Sequence, residues 1–292
     1  MSVFSSKLNT IANSTNSYLK SFFSKQKKNS FLLKPMKYGV FSGGKRFRSA
    51  IVVNTGKIYD IDYKKLIIIS SAIECIHSYS LMHDDLPSMD NDALRRGKLS
   101  VHKKFNEFTA ILAGNSLLTL AFEILSGREL NLSQNYKNQL IRTLSMCSGH
   151  SGLAGGQYSD LTFENKSILK KNIINMQKKK TGELFGFCCE SVAIIKGVNS
   201  IKKKKLKEIG INIGLLFQIV DDLIDYKRDG VTVGKATGGD EKKGKATLVN
   251  LLGYEETINF TENLKKILLT CKGKKQVNYL VFAVRVSLLL KV

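Results

Sequence analysis

Apolar residues recur at three- and four-residue steps along most of this chain, and that periodicity limits the fold more than any other feature. Leu66, Ile69, Ile73, Ile76 and Tyr79 mark one such face. Comparable patterns run through Phe108–Leu125, Leu140–Cys147, Ile173–Ile195, Leu206–Ile224 and Ile258–Leu269. Ile67–Ile69 alone would suit a strand, but it sits inside a periodic segment too long to be one. Turn-forming residues punctuate the pattern at Gly43-Gly44, Asp60 to Asp62, Gly127, Gly152 to Gly156, Gly197, Asp229-Gly230 and Gly238-Gly239. The reading predicts roughly eight to ten helices joined by short loops, with no β-hairpin. Helices with wide apolar faces bundle around a shared interior, so residues 1–292 are expected to form a single all-α domain around a central cavity. A homodimer would bury more of the apolar surface of its central helices.

At 43 % hydrophobic, the chain can bury a large core, which excludes a wholly disordered protein. Five cysteines without a CxxC pair fit neither a disulfide scaffold nor a zinc ribbon, and suggest a reducing compartment. The formal charge of +22 would suit nucleic acid or an anionic membrane if it were gathered on one face. Instead lysines recur chain-wide, as at Lys178–Lys180, Lys202–Lys205 and Lys242–Lys243, which reads as a solvated surface with no nucleic-acid partner. Part of the charge can serve a small polyanionic substrate. Residues 1–30 lack a continuous apolar run of the secretory type. The apolar stretch Tyr279–Val292 is short and is interrupted by Arg285. No stable membrane insertion is expected, and a cytoplasmic location is.

Two aspartate clusters carry the sharpest chemical signal. Asp84-Asp85-Leu86-Pro87-Ser88-Met89-Asp90-Asn91-Asp92 follows an apolar helix directly. In Gln218-Ile219-Val220-Asp221-Asp222-Leu223-Ile224-Asp225, a turn of about 100° per residue places the three carboxylates on one helical face beside Gln218. Like charges crowded this way destabilise a helix unless something positive sits against them. Oxygen ligands alone suit Mg²⁺, which binds through one or two carboxylates plus substrate phosphates. Asp84 and Asp90 would diverge by about 120° on an ideal helix. Pro87 is expected to end the helix and let the chain turn Asp90 back toward Asp84.

Cations flank the acids. Arg95-Arg96 follow the first cluster, and Gly43-Gly44-Lys45-Arg46-Phe47-Arg48 sets three cationic side chains at the start of a helix, where backbone N–H groups also favour an anion. Lys180-Thr181-Gly182 interrupts a helix, and Gly234-Lys235 and Gly244-Lys245 add lysines beyond the second cluster. Glycine-bounded cations with magnesium-type carboxylates point to a diphosphate. Neither GxxxxGK[ST] nor GxGxxG occurs, which disfavours kinase and dinucleotide chemistry. His77 lies nearly two turns before Asp84 on a similar face, and suits either a diphosphate donor or a core residue. No HxxxH or HExxH spacing supports zinc. Asp160, in Gly155-Gly156-Gln157-Tyr158-Ser159-Asp160, is either a support of the metal site from outside or a plain loop residue.

Taken together, Gly43–Arg48, the block Glu74–Asp90 with Arg95-Arg96-Gly97, and Phe217-Gln218 leading into Asp221–Asp225 resemble the trans-prenyltransferase (polyprenyl diphosphate synthase) family. The likeness runs from about Lys34 to Gly253 and is closest to short-chain bacterial members. It implies an isoprenoid-synthase-type helical bundle, usually homodimeric, with both aspartate motifs facing a deep cavity. It implies condensation of isopentenyl diphosphate with dimethylallyl and then geranyl diphosphate, giving (2E,6E)-farnesyl diphosphate. Geranyl- or geranylgeranyl-forming members, a terpene cyclase and a non-catalytic basic binding protein are the alternatives.

By the same resemblance, Asp84, Asp85, Asp90, Asp221, Asp222 and Asp225 would hold about three Mg²⁺, with Mn²⁺ a substitute. Arg95, Lys180, Thr181, Gln218, Lys235 and Lys245 would hold the allylic diphosphate. Lys45, Arg48, His77 and Arg96 would bind isopentenyl diphosphate. Asp84, Asp85, Asp221, Asp222, Lys180 and Lys235 would act in the ionisation step. Tyr79, with Ser80 beside it, would floor the cavity and set product length. Two positions depart from the pattern. Asn115 stands where Asp is usual, and Leu248-Val249 follows Thr247 where Tyr/Phe-Pro is usual.

Overall fold

Asp62 opens the longest apolar helix by accepting a hydrogen bond from the Lys65 N–H at 3.1 Å, an N-cap of the ordinary kind. The computed structural model describes residues 3–26, 31–231 and 244–270. Lys235, Gly238-Gly239 and the stretch Tyr279–Val292 lie outside them. Among the described residues the fold is all-α apart from one short β-ribbon. The residues form two compact units. One holds those up to Ile141 together with Ile194–Lys196; the other holds Arg142–Ala193 and those from Gly197 on.

The first unit contains α1 (Val3–Ser24), α2 (Leu33–Val40), α3 (Phe47–Ile58), α4 (Tyr63–Asp84), β1 (Leu94–Arg95), β2 (Lys98–Leu99), α5 (Val101–Lys104) and α6 (Glu107–Ser126). Every residue of α4 from Leu66 to Ile76 is buried, because α1, α3 and α6 enclose it. Each fully buried Ile or Leu contributes about 1.5–3 kcal/mol, so α4 is the energetic axis of the unit. Helix α6 comes close to α4 at Gly114, where a Cβ would stand 2.2 Å from His83 Nε2. By length and hydropathy α4 and α6 could each cross a bilayer, but α4 is a core helix enclosed by its neighbours.

The ribbon β1–β2 corrects the expectation of no hairpin. Leu94 pairs with Leu99 and Arg95 with Lys98 across the turn Arg96-Gly97. Both turn residues have positive φ, 55° and 75°, which matches the mirror-image turn that suits the right-handed twist of paired strands.

The second unit contains α7 (Gln134–Ser148) from Arg142 on, α8 (Leu153–Thr162), α9 (Lys170–Gln177), a π-helical turn (Lys178–Gly182), α10 (Glu183–Lys196) up to Ala193, α11 (Ser200–Val231), α12 (Leu248–Leu252) and α13 (Tyr254–Thr270). The periodic run Ile173–Ile195 is thus two helices with a wide turn between them, at the interruption expected around Lys180-Thr181-Gly182. Glycines let three backbones meet there. A Cβ at Gly156 of α8 would lie 2.1 Å from Lys180 N, and one at Gly214 of α11 would lie 2.8 Å from Gly182 Cα. The π turn is held between α8 and α11, and π-bulges are frequent at functional sites.

Candidate active site

The first acidic cluster sits where α4 ends. After Asp85 the chain folds back on itself: the Asp90 N–H donates to the Asp84 carbonyl at 2.9 Å, and the Asp92 N–H to the Asp85 carbonyl at 3.2 Å. Pro87 cannot continue the helix, and the turn brings Asp90 beside Asp84 as its position suggested. The carboxylates are not equivalent. Asp85 is buried and accepts from Arg95 Nε at 2.8 Å and from Arg95 Nη2, while Arg95 Nη2 also reaches Asp92 at 3.1 Å. Burial raises the Asp85 carboxyl above the usual range, and Arg95 pulls against that shift. Asp84 and Asp90 are half-exposed. Asp85 therefore orders Arg95, and Asp84 with Asp90 are the pair presented outward.

The basic cluster of the same unit divides differently from its sequence. Arg46 takes a left-handed backbone, φ 51°, and turns inward. It pairs with buried Glu74 at 3.2 Å, and donates to the Val40 carbonyl at 2.6 Å and to Asn16 Oδ1 at 3.0 Å. Ser49 Oγ completes the Glu74 carboxylate at 2.9 Å. One of the three cations at this helix start is thus a framework group and is unavailable to a ligand. Lys45 is exposed, its ammonium 5.9 Å from the Phe47 ring centre. Arg96 lies over Gly43-Gly44 and donates to the Gly43 carbonyl. Gly44 has φ +113°, a backbone that favours glycine, and a Cβ there would come 2.6 Å from Arg96 Nη1.

His77 is the centre of this group. Burial pushes its imidazole well below the ordinary range, and the fields of Arg48, Arg96, Arg46 and Arg95 push it further. A neutral imidazole in the field of four guanidinium groups lies in surroundings that favour an anion. The charges of the sequence-derived residues Arg48 and Arg96 act on His77, and Lys45 is exposed.

In the second unit, Asp222 is buried and accepts from Gln177 Nε2 at 2.7 Å and Gln218 Nε2 at 2.9 Å. Gln218 Oε1 in turn accepts from Thr181 Oγ1 at 2.8 Å. Asp160 of α8 accepts from Lys180 Nζ at 2.6 Å and lies 3.6 Å from Lys245 Nζ. Thr181, Gln218 and Asp222 thus form one hydrogen-bonded chain, while Lys180 and Lys245 meet separately at Asp160. Asp221 is half-exposed and Asp225 exposed, so the three carboxylates of α11 differ in depth although they share a face. Gln177 went unread in the sequence because its partner lies on another helix.

Among the described residues, no three carboxylates, imidazoles or thiols stand together ready to hold a metal. The donor set still fits Mg²⁺, a hard ion that takes oxygen ligands and completes its shell with water and phosphate. Asp84 and Asp90, turned alongside each other by the backbone, are suited to one or two contacts of that kind.

A polyprenyl synthetase family model matches residues 29–284. The chain belongs to that family. It is 42 % identical over 218 residues to the farnesyl diphosphate synthase of Micrococcus luteus, covering 75 % of this chain and 74 % of the relative. Its fold matches the apo crystal structure of an FPP/GFPP synthase from Zymomonas mobilis with a TM-score of 0.82 and 36 % identity, over 97 % of this chain and 99 % of the other. It also matches a geranyltransferase from Helicobacter pylori complexed with magnesium and isoprenyl diphosphate, with a TM-score of 0.77 and 29 % identity over 98 % and 97 % of the two chains.

Both departures from the polyprenyl synthetase pattern find a place in the fold. Asn115 is exposed on α6. Thr247 caps α12, its Oγ1 accepting from the Asn250 N–H at 3.1 Å, so a capped helix begins where the usual proline is missing. Tyr79 is buried on α4, its ring edge-on to His83 at 5.6 Å, and Ser80 Oγ is turned to the His77 carbonyl at 3.0 Å.

Proposed function

We propose that the protein is a prenyltransferase that joins isopentenyl diphosphate to dimethylallyl and then geranyl diphosphate, head to tail, and releases (2E,6E)-farnesyl diphosphate. One observation supports this reading: the charges of Arg48 and Arg96 act on His77 in the first unit, while Lys180 and Lys245 gather at Asp160 in the second. An enzyme that ionises a single diphosphate needs one such site, and an enzyme that condenses two needs both.

Lys180, Thr181, Gln218 and Lys245, with Arg95 and Lys235, bind the allylic diphosphate in this account. Asp84, Asp85, Asp90, Asp221, Asp222 and Asp225 would hold about three Mg²⁺, with Mn²⁺ a substitute, and the bound ions would supply positive charge to the departing diphosphate. Asp85 and Asp222 also fix Arg95 and Gln218 in place. The allylic C–O bond breaks, its electron pair leaves with diphosphate, and the allylic carbon bonds to the terminal alkene carbon of isopentenyl diphosphate. The proton lost from the adjacent carbon goes to the released diphosphate, whose negative charge makes it the natural acceptor. Lysine and guanidinium groups already in place gain most as charge gathers on the leaving group, so they favour the transition state.

Phe108, Ile111 and Leu112 line an exposed apolar stripe on α6, which supports a homodimer as the working state. A cytoplasmic location accords with substrates that are soluble diphosphates. Arg48→Ala tests the division of the two sites. It is expected to raise the KM for isopentenyl diphosphate about tenfold or more, with a smaller change for the allylic substrate. Equal changes in both KM values would overturn the division.

A further inference from the structure

Asp160 has no assigned part in the chemistry, yet two lysines from distant parts of the chain end on it. Lys180 comes from the π turn and Lys245 from the residues before α12. The backbones beside both lysines are fastened to α8 or to the turn after it. A Cβ at Gly156 would strike the Lys180 amide. The Asn165 N–H donates to the Gly244 carbonyl at 2.9 Å, and a Cβ at Gly244 would lie 1.9 Å from Asn165 Oδ1. The meeting of both ammonium groups at one carboxylate is therefore built by three separate segments.

We propose that Asp160 is a positioning residue that gathers Lys180 and Lys245 into a single ammonium pair ready for the allylic diphosphate. The inference rests on the reading of those lysines as allylic-diphosphate ligands. Two ammonium groups alone would repel, and each long side chain would wander among rotamers. One buried carboxylate between them cancels half of their charge and fixes both nitrogens. An arriving diphosphate, with several oxygens and greater charge, can accept the remaining N–H donors while Asp160 keeps its hold on one.

Charge separates this role from plain structural support. Asp160→Asn removes a negative charge that competes with the ligand, so the site becomes more positive while its order falls. The full chain with Mg²⁺ is expected to bind inorganic diphosphate as tightly as wild type or more tightly, measured by calorimetry. Its kcat should fall about 10- to 100-fold, with a change in allylic KM under about threefold. Adding Lys245→Ala to Asp160→Asn should lower kcat far less than the two single effects multiplied, because both act on one arrangement. Asp160→Glu keeps the charge and is expected to retain kcat within about fivefold, which tests the idea even if the Asn variant fails to fold.

Wild-type kcat in Asp160→Asn would overturn the proposal, and so would loss of diphosphate affinity in parallel with kcat. If the Glu variant alone folds, a kcat as low as that of Lys180→Ala would do the same. Lys180→Ala, assayed beside these variants, separates the two claims. Unchanged allylic KM and kcat there would remove the underlying site reading, and the proposal with it. An impaired Lys180→Ala beside a normal Asp160→Asn would remove only the role of Asp160.

Discussion

The Asp90 N–H and the Asp84 carbonyl, six positions apart, are joined by a hydrogen bond of 2.9 Å. That bond holds the Asp90 backbone beside that of Asp84 at the end of α4, where an unbroken helix would carry the two residues apart. Asp84→Ala should lower turnover by a factor of about 100 or more with the fold intact, because a metal-assisted departure loses its ligand. Steady-state rates at saturating Mg²⁺, with a melting curve taken without the metal, check both halves. Near-normal turnover would sink the metal assignment.

Glu74 and Arg46 are a buried pair with further bonds to Ser49, Val40 and Asn16. Glu74→Ala leaves the guanidinium buried without its counter-charge, and should cost about 3–5 kcal/mol of stability. Denaturant unfolding measures it. A loss below about 1 kcal/mol would mean that Arg46 escapes to solvent.

Tyr79 fills space on α4 beside His83. A further isoprene unit adds about five carbons, worth several kcal/mol of burial at ~0.8 kcal/mol per group if room exists. A fixed aromatic ring exchanges that gain for overlap. Tyr79→Ala should move product toward about twenty carbons or longer. Chromatography of the dephosphorylated products under excess isopentenyl diphosphate decides it, and unchanged farnesyl product would place the floor elsewhere.

His77 supplies a pH test. Its imidazole is held well below the ordinary histidine value, through burial first and the charges of nearby arginines next. The unfolded chain therefore binds more protons below about pH 6.5, and stability contributed by the neutral imidazole is present above that value and lost as pH falls beneath it. His77→Gln should lose less stability than wild type between about pH 7 and pH 5. Parallel unfolding curves for the two proteins would contradict the burial of a neutral histidine.

The long helices were legible because a repeat of three and four residues survives in any surroundings that bury one face. The return of Asp90 was legible too, since proline has one local effect wherever it stands. The inward turn of Arg46 was not. Lys45, Arg46 and Arg48 have the same charge and similar spacing, and only Glu74, brought in by α4, decides which of them becomes framework. Asp160 and Gln177 were equally opaque, because their partners come from other segments. The ribbon at Leu94–Leu99 escaped notice because its strands are two residues each, and its signal was the left-handed turn at Arg96-Gly97 alone.

The central claim is that two diphosphates meet here and one leaves. Purified protein incubated with Mg²⁺, dimethylallyl diphosphate and isopentenyl diphosphate, then treated with phosphatase, should yield (2E,6E)-farnesol as the main alcohol. Recovery of unreacted dimethylallyl and isopentenyl alcohols alone, or of a cyclic hydrocarbon made without isopentenyl diphosphate, would contradict it.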